Sequence, residues 1–398
     1  MQFENNLLIF FKNEKVLLLL FFLVFINPFF YGDRFLLLFF FLLVAKSFKF
    51  KIGIDENVLF LLLFSIFYEL IAALRIEAIY ISELGIISNI IGPTLLYLVG
   101  KYIGVKYSTS QVLTFMLFFI AITYSIVPLI SIIKQIIDAG FLEGTRSMYL
   151  LWDKSYEISA TGLGSYFAMN MITIGLVIVK KKSIFENKIY YALIVIFFLS
   201  LVCVLRLGTR TQLAISLIAI LFSYLVNFSK QGFSKNLFII IIFTLIGFYF
   251  LYNINSSSDV MYFFADRIDN EEFGIATAGG RTERWIGSLN SVLTDPFGWE
   301  YERFGYAHNL WLDVARVSGI IPLFFLLLFT FSSFKILFKA LKKLKKNTFV
   351  KTYVLLFFLS FFLVFNVEPI MEGMYLFFLL FCMFIGILFG FSNEKSYD

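Results

Sequence analysis

Apolar side chains run along this chain in blocks of roughly 15 to 25 residues, broken by short polar or charged interruptions. That spacing suits helices crossing about 30 Å of hydrocarbon. The blocks predict about twelve spans, near 14–31, 35–46, 57–74, 84–100, 111–133, 162–180, 189–205, 211–228, 236–252, 308–334, 352–367 and 373–392. Only Gly32, Asp33 and Arg34 separate the first two. No small-residue cleavage site follows the first, which reads as a retained signal anchor. The chain shows neither a fixed-period repeat nor inverted similarity between its halves. The expected architecture is all-α: a polytopic membrane helical bundle filling 1–398 as one domain. Two interruptions exceed connector length, 134–161 and 253–307, and loops beyond about 15 residues usually carry function or are disordered. The larger one bears Trp285, Ile286, Leu289 and Val292, so it is expected to form a cap of short helices on the outer surface.

Composition agrees. Of 398 residues 60% are hydrophobic and 15% charged, against about 25% charged in soluble domains, which excludes a soluble enzyme, a secreted module or a disordered tail. Cys203 and Cys382 lie in apolar blocks and offer neither a disulfide framework nor metal-ligand spacing.

Charge sets the orientation. If the lysine-rich loops around Lys180–Lys188 and Lys335–Lys351 are cytoplasmic, alternation puts both termini and 21 lysines inside, with no arginine. All ten arginines, and His308, the single histidine, then fall outside. The net charge of +6 resolves into about +14 inside and −8 outside. The positive-inside rule accounts for the lysines but not for arginine being chosen on one side only. Arginine's planar fork binds phosphate bidentately and stays charged at any working pH, which points to an outer-face phosphate ligand.

Candidate chemistry gathers in three places. Arg281, Arg284, Trp285 and Ser288 share one face of a short amphipathic helix by i, i+3 and i+4 spacing, which Asp295-Pro296-Phe297-Gly298 would stop as a turn. Glu283, between the two arginines, could orient one of them or accept a proton; a local salt bridge serves equally well. Arg206 and Arg210 mark the outer junction of the seventh and eighth spans. Arg210 at a positive helix end is unfavourable unless an anion neutralises it, and snorkelling to lipid headgroups is the alternative. His308 opens the tenth span and is the one side chain that titrates near neutrality. Asp313, Glu368 and Glu372 also fall at outer interfaces. There is no Walker loop, HExxH, GxSxG or Cys/His cluster, and no compact D-x-D pair to hold a metal on a nucleotide sugar.

Gly208-Thr209-Arg210-Thr211, then Gly280-Arg281 with Trp285, Asp295-Pro296-Phe297-Gly298, and finally His308-Asn309 with Gly319 follow one another in an order that resembles the O-antigen polymerase and O-antigen ligase superfamily of bacterial membranes. The motifs cover about 205–325. Polymerases of this kind also carry an arginine and a glycine with fifteen residues between them in two outer loops, a spacing that Arg146 with Gly162 and Arg303 with Gly319 reproduce. The resemblance implies a metal-independent glycosyltransferase of the bacterial inner membrane, working on the periplasmic side without a cofactor. Its substrate would be an undecaprenyl-pyrophosphate-linked oligosaccharide; membrane lipids, chain-length regulator and flippase proteins would be its partners, with no role for nucleic acid. Arg210 and Arg281 match the family's arginines and would clamp pyrophosphate, and His308 matches its histidine. Arg284, Arg206, Arg146, Arg303 and Asn309 would support substrate binding, with Glu283 as a speculative base.

The polymerase is favoured over the ligase, which joins finished polymer to lipid A-core, because the strong Phe, Ile and Lys bias suits polysaccharide loci. A lipid-linked oligosaccharide flippase fits the span count. However, transporters place charges at mid-membrane, and these spans are nearly uncharged apart from Glu69 near the outer end of the third.

Overall fold

The structure, a computed structural model, describes residues 2–28, 32–47, 53–75, 83–141, 147–228 and 281–393. Its helices are α1 (Gln2–Ile26), α2 (Gly32–Ser47), α3 (Glu56–Leu74), α4 (Glu83–Lys106), α5 (Ser110–Ala139), α6 (Ala160–Ser165), α7 (Ala168–Met171), α8 (Ile184–Leu207), α9 (Arg210–Asn227), α10 (Arg281–Thr294), α11 (Tyr301–Phe304), α12 (Leu310–Ser318), α13 (Ile320–Lys343), α14 (Thr348–Phe365), α15 (Ile370–Gly373) and α16 (Tyr375–Asn393). A two-stranded hairpin, β1 (Met148–Leu150) and β2 (Asp153–Ile158), precedes α6. Among the described residues eight helices are long and apolar enough to cross a membrane: α3, α4, α5, α8, α9, α13, α14 and α16. The protein is therefore a multi-pass helical membrane protein. The predicted span at 236–252 lies outside the described residues, as do Arg146 and Arg267.

Three sequence expectations change. The run at 162–180 is not one helix: α6 and α7 are short, and a 3-10 segment completes it at Ile172–Ile178. The run at 308–334 breaks at Gly319, whose φ of +76° ends α12 before α13 begins. A Cβ there would come within 2.1 Å of the Pro296 carbonyl oxygen, so only glycine fits this turn. The outer loop expected from 134 begins later, because α5 continues to Ala139, and it folds partly as the hairpin.

The closest helix pairing joins α4 to α16. Gly100 and Gly104 face Gly386 and Gly390 as two small-xxx-small stripes. A Cβ added at Gly100 would lie 2.0 Å from the Met383 carbonyl oxygen, and one at Gly386 would lie 2.0 Å from that of Tyr97. The two helices run parallel with backbones in contact. Around this pair the phenylalanines fill the core in i, i+4 ladders. Phe361 packs at a tilt against Phe377 and Phe381, with ring centres 4.8 and 5.3 Å away, and Phe357 meets Phe384 edge-on at 5.2 Å.

Charged residues sort to the two ends of the bundle. At one end fully buried Glu14 pairs with Lys46 at 2.5 Å and Lys106 at 2.8 Å, while Tyr102 and Tyr107 donate to the same carboxylate. Lys101 pairs with Asp55 at 2.6 Å beside them, and Lys343 donates to the Phe391 carbonyl at the end of α16. The two lysine-rich loops also meet, Lys182 donating to the Lys346 carbonyl at 3.1 Å. At the other end Arg75 donates to the carbonyls of Phe297 and Arg316, and Tyr375 donates to that of Asn89. The lysines and arginines that the sequence separates thus occupy opposite ends.

Candidate functional site

The site is assembled on α10 and the loop before α12. Helix α10 spans Arg281–Thr294 and stops at a turn in which the Gly298 amide donates to the Asp295 carbonyl at 2.9 Å. Its C-terminal bound follows the sequence pattern. The turn docks on the break after α12, where Ile320 donates to the Pro296 carbonyl and Trp299 to that of Arg316. The expected face of α10 looks inward. Arg284 and Trp285 donate to the carbonyls of Tyr306 and Ala307, the indole bond being 2.7 Å, and Ser288 is buried.

His308 occupies the centre of this arrangement with a φ of +53°, left-handed and unusual for a residue with a Cβ. Such a backbone costs on the order of 1–3 kcal/mol and persists only where its surroundings over-determine it. The flanking bonds do so. The Asp313 carboxylate accepts from the Ala307 amide at 2.7 Å through one oxygen and from the Asn309 amide at 2.9 Å through the other. Asn309 caps α12 by accepting from Leu312, and its side-chain amide donates to Asn366 at 3.2 Å, linking the loop to the turn after α14.

The electrostatics are unlike those of open water. Burial, reinforced by the Arg281 and Arg284 charges, holds His308 down at about 4, so the imidazole is neutral at working pH. Burial pushes Glu368 up to about 8 against the opposing pull of Arg281, so this carboxyl keeps its proton at neutrality. Asp313 is raised to about 7, burial outweighing its two amide donors. Arg281 therefore lies in the field of both His308 and Glu368. The His308 Nδ1 and a Glu368 carboxyl oxygen are buried without a hydrogen-bond partner among the described residues. A buried polar atom in this state normally has a ligand or water as its partner.

The remaining candidates go elsewhere. Arg303 is half-exposed and pairs with Asp295 at 2.7 Å. Arg316 is buried, bonds Glu372 and lies under the rings of Tyr301 and Tyr306. Together with Arg75 these are arginines engaged by protein groups. Glu283 faces solvent on α10. Arg210 is the first residue of α9 as expected, after a turn in which Gly208 takes φ +62°. Arg206 is fully buried at the end of α8, where Cys203, Val204 and Leu207 pack with Met148 and Leu163. Both belong to the α8–α9 junction beside α6.

The sequence named Asp313 and Glu368 only as outer-interface carboxylates, and it did not single out Asn366. The four-residue step from Asn309 to Asp313 was a usable signal for the first; nothing in the sequence near 366–369 ties that turn to His308. Among the described residues no three or more His, Cys, Asp or Glu side chains are grouped to hold a metal ion. No family model matches the chain, and no curated protein matches it in sequence.

Proposed function

We propose that the protein is an O-antigen-type polymerase of the bacterial inner membrane. It would transfer a growing glycan from undecaprenyl pyrophosphate to the next lipid-linked repeat unit at the periplasmic face. The observation that carries this reading is the pair Arg281 and Arg284, held on one helix face against a neutral His308 and a neutral, buried Glu368. Two cations beside uncharged partners suit a pyrophosphate, whose charge grows as the sugar–phosphate bond breaks.

In this reaction the acceptor hydroxyl attacks the anomeric carbon, the bond to pyrophosphate breaks, and the hydroxyl proton must leave. A base near the reacting centre serves that step. His308 is a poor base while the two arginines press on it. Bound pyrophosphate would offset their charge and raise the imidazole's affinity for a proton when it is needed. Glu368, protonated at rest, would donate to a sugar or phosphate oxygen. Arg210, carried over from the resemblance, would supply a further phosphate contact. Transfer of this kind draws its energy from the sugar–pyrophosphate bond and uses no nucleotide.

A glycan gel tests the proposal. In a deletion strain complemented with Arg281→Ala, His308→Ala or Arg210→Ala, single-repeat glycan should replace polymer at normal protein levels. Full-length polymer in all three would sink the reading. Loss of every repeat unit in the deletion strain would instead mark a ligase.

A further inference from the structure

An aspartate that caps a helix ordinarily takes the unsatisfied amides of the first turn. Asp313 does otherwise. The first-turn amide of Leu312 is already served by Asn309. Asp313, one turn inside α12 and 1% exposed, reaches back out of the helix to the amides on either side of His308. The residue between those two amides is the one with left-handed backbone. A single carboxylate thus ties down the 308–309 peptide, which flanks the imidazole-bearing residue, and the 306–307 peptide one step before it, each oxygen serving one plane.

From this geometry we infer that Asp313 is a positioning residue for His308: its two oxygens hold the 307–309 loop in the strained turn that keeps the half-buried imidazole, with its Nδ1 out of solvent, beside Arg281 and Arg284. The inference rests on the reading of His308 as a site residue, but its readout is independent of glycan transfer. The ionisable and charged groups around the imidazole are Arg281 and Arg284 on α10, Tyr306 in its own loop, Asp313 and Arg316 on α12, and Glu368 and Glu372 after α14. Of these the two arginines act most strongly on it.

The chain holds one histidine, so isotope-labelled histidine gives a single imidazole signal by NMR in detergent or nanodiscs. In the native protein that signal should stay in its neutral form between about pH 8 and about pH 5. Asp313→Asn keeps one acceptor and turns an N–H against the other amide. The released loop should let the buried Nδ1 meet water, and the imidazole's titration midpoint should rise by about one pH unit or more, into that window. The rise is diagnostic, because the Asp313 carboxyl, titrating at about 7, carries no charge at the native imidazole midpoint, so the substitution by itself would leave that midpoint unmoved. Asn309→Ala weakens the cap of the same helix and should leave the imidazole neutral. An imidazole that stays neutral throughout in Asp313→Asn, or an equal rise in both variants, would overturn the inference. If Asp313→Asn does not fold, His308→Gly combined with it should restore a monodisperse protein, since glycine adopts this φ without the clamp; failure to restore would also overturn it.

Discussion

The lysine end and the arginine end of the bundle use the same ingredients to different effect. At the lysine end, buried Glu14 and half-buried Asp55 are met by cations and hydroxyls: Glu14 receives Lys46, Lys106, Tyr102 and Tyr107, and Asp55 receives Lys101 and Tyr97. At the arginine end burial leaves Glu368 protonated and His308 unprotonated while Arg281 acts on both. Satisfied charge of the first kind is structural, since removing either partner strands the other. Neutral groups beside cations are poised for a ligand that brings charge with it. A cluster of ionisable side chains is thus no guide to function until its pairing is known.

The largest effect that would sharpen this contrast is on the proposed glycan transfer. Arg281→Ala should lower polymerisation of purified lipid-linked repeats by about 10²–10³-fold, the usual loss for one preorganised charge-stabilising donor. Its thermal midpoint should stay near the native value. Next, Glu14→Gln should destabilise the fold by about 3 kcal/mol, the lower end of the range for breaking a buried pair. The lower end applies because Lys46 and Lys106 are 20% and 21% exposed. Denaturant or thermal unfolding would show it, and a loss no larger than that of Glu368→Gln would erase the distinction between the ends.

Glu368→Gln supplies a pH signature instead. The folded carboxyl titrates at about 8 rather than the ordinary 4.5, so between those values the folded state binds the extra proton. Native stability should therefore decline as pH rises from about 4.5 to 8, and the glutamine variant, already neutral, should escape that decline. Midpoints recorded across this window should diverge in favour of the variant, whereas parallel curves would mean that Glu368 is ionised. The smallest effect is expected at Arg303→Ala. Its partner Asp295 is solvent-facing, so neither stability nor polymer length should change measurably, and a marked loss of polymer would restore Arg303 to the site.

Much of this was legible in the chain. Run length locates the eight long apolar helices among the described residues, because hydrocarbon thickness demands it, and i, i+4 spacing gives the inward face of α10. The break at Gly319 was hidden because apolar residues continue through it; its cause is a backbone contact with Pro296, which periodicity does not register. The hairpin was missed because Met148-Tyr149-Leu150 and Tyr156-Glu157-Ile158 are too short to stand out beside blocks several times longer. Within the site, the α10 arginines in the long loop and His308 directly after it were visible as rare residue types. Asp313 and Glu368 acquire meaning only through folding: one bends back across a strained turn, and the other arrives from sixty residues further along.

The glycine contact between α4 and α16 carries a consequence for how the protein is made. Its two halves are separated by more than two hundred and eighty residues, from Gly100 to Gly386. During synthesis α4 enters the membrane with its glycine stripe uncovered and waits while the intervening helices follow. The bundle cannot close until α16 has emerged, and a nascent chain interrupted before that point presents an open groove to the quality-control machinery of the membrane.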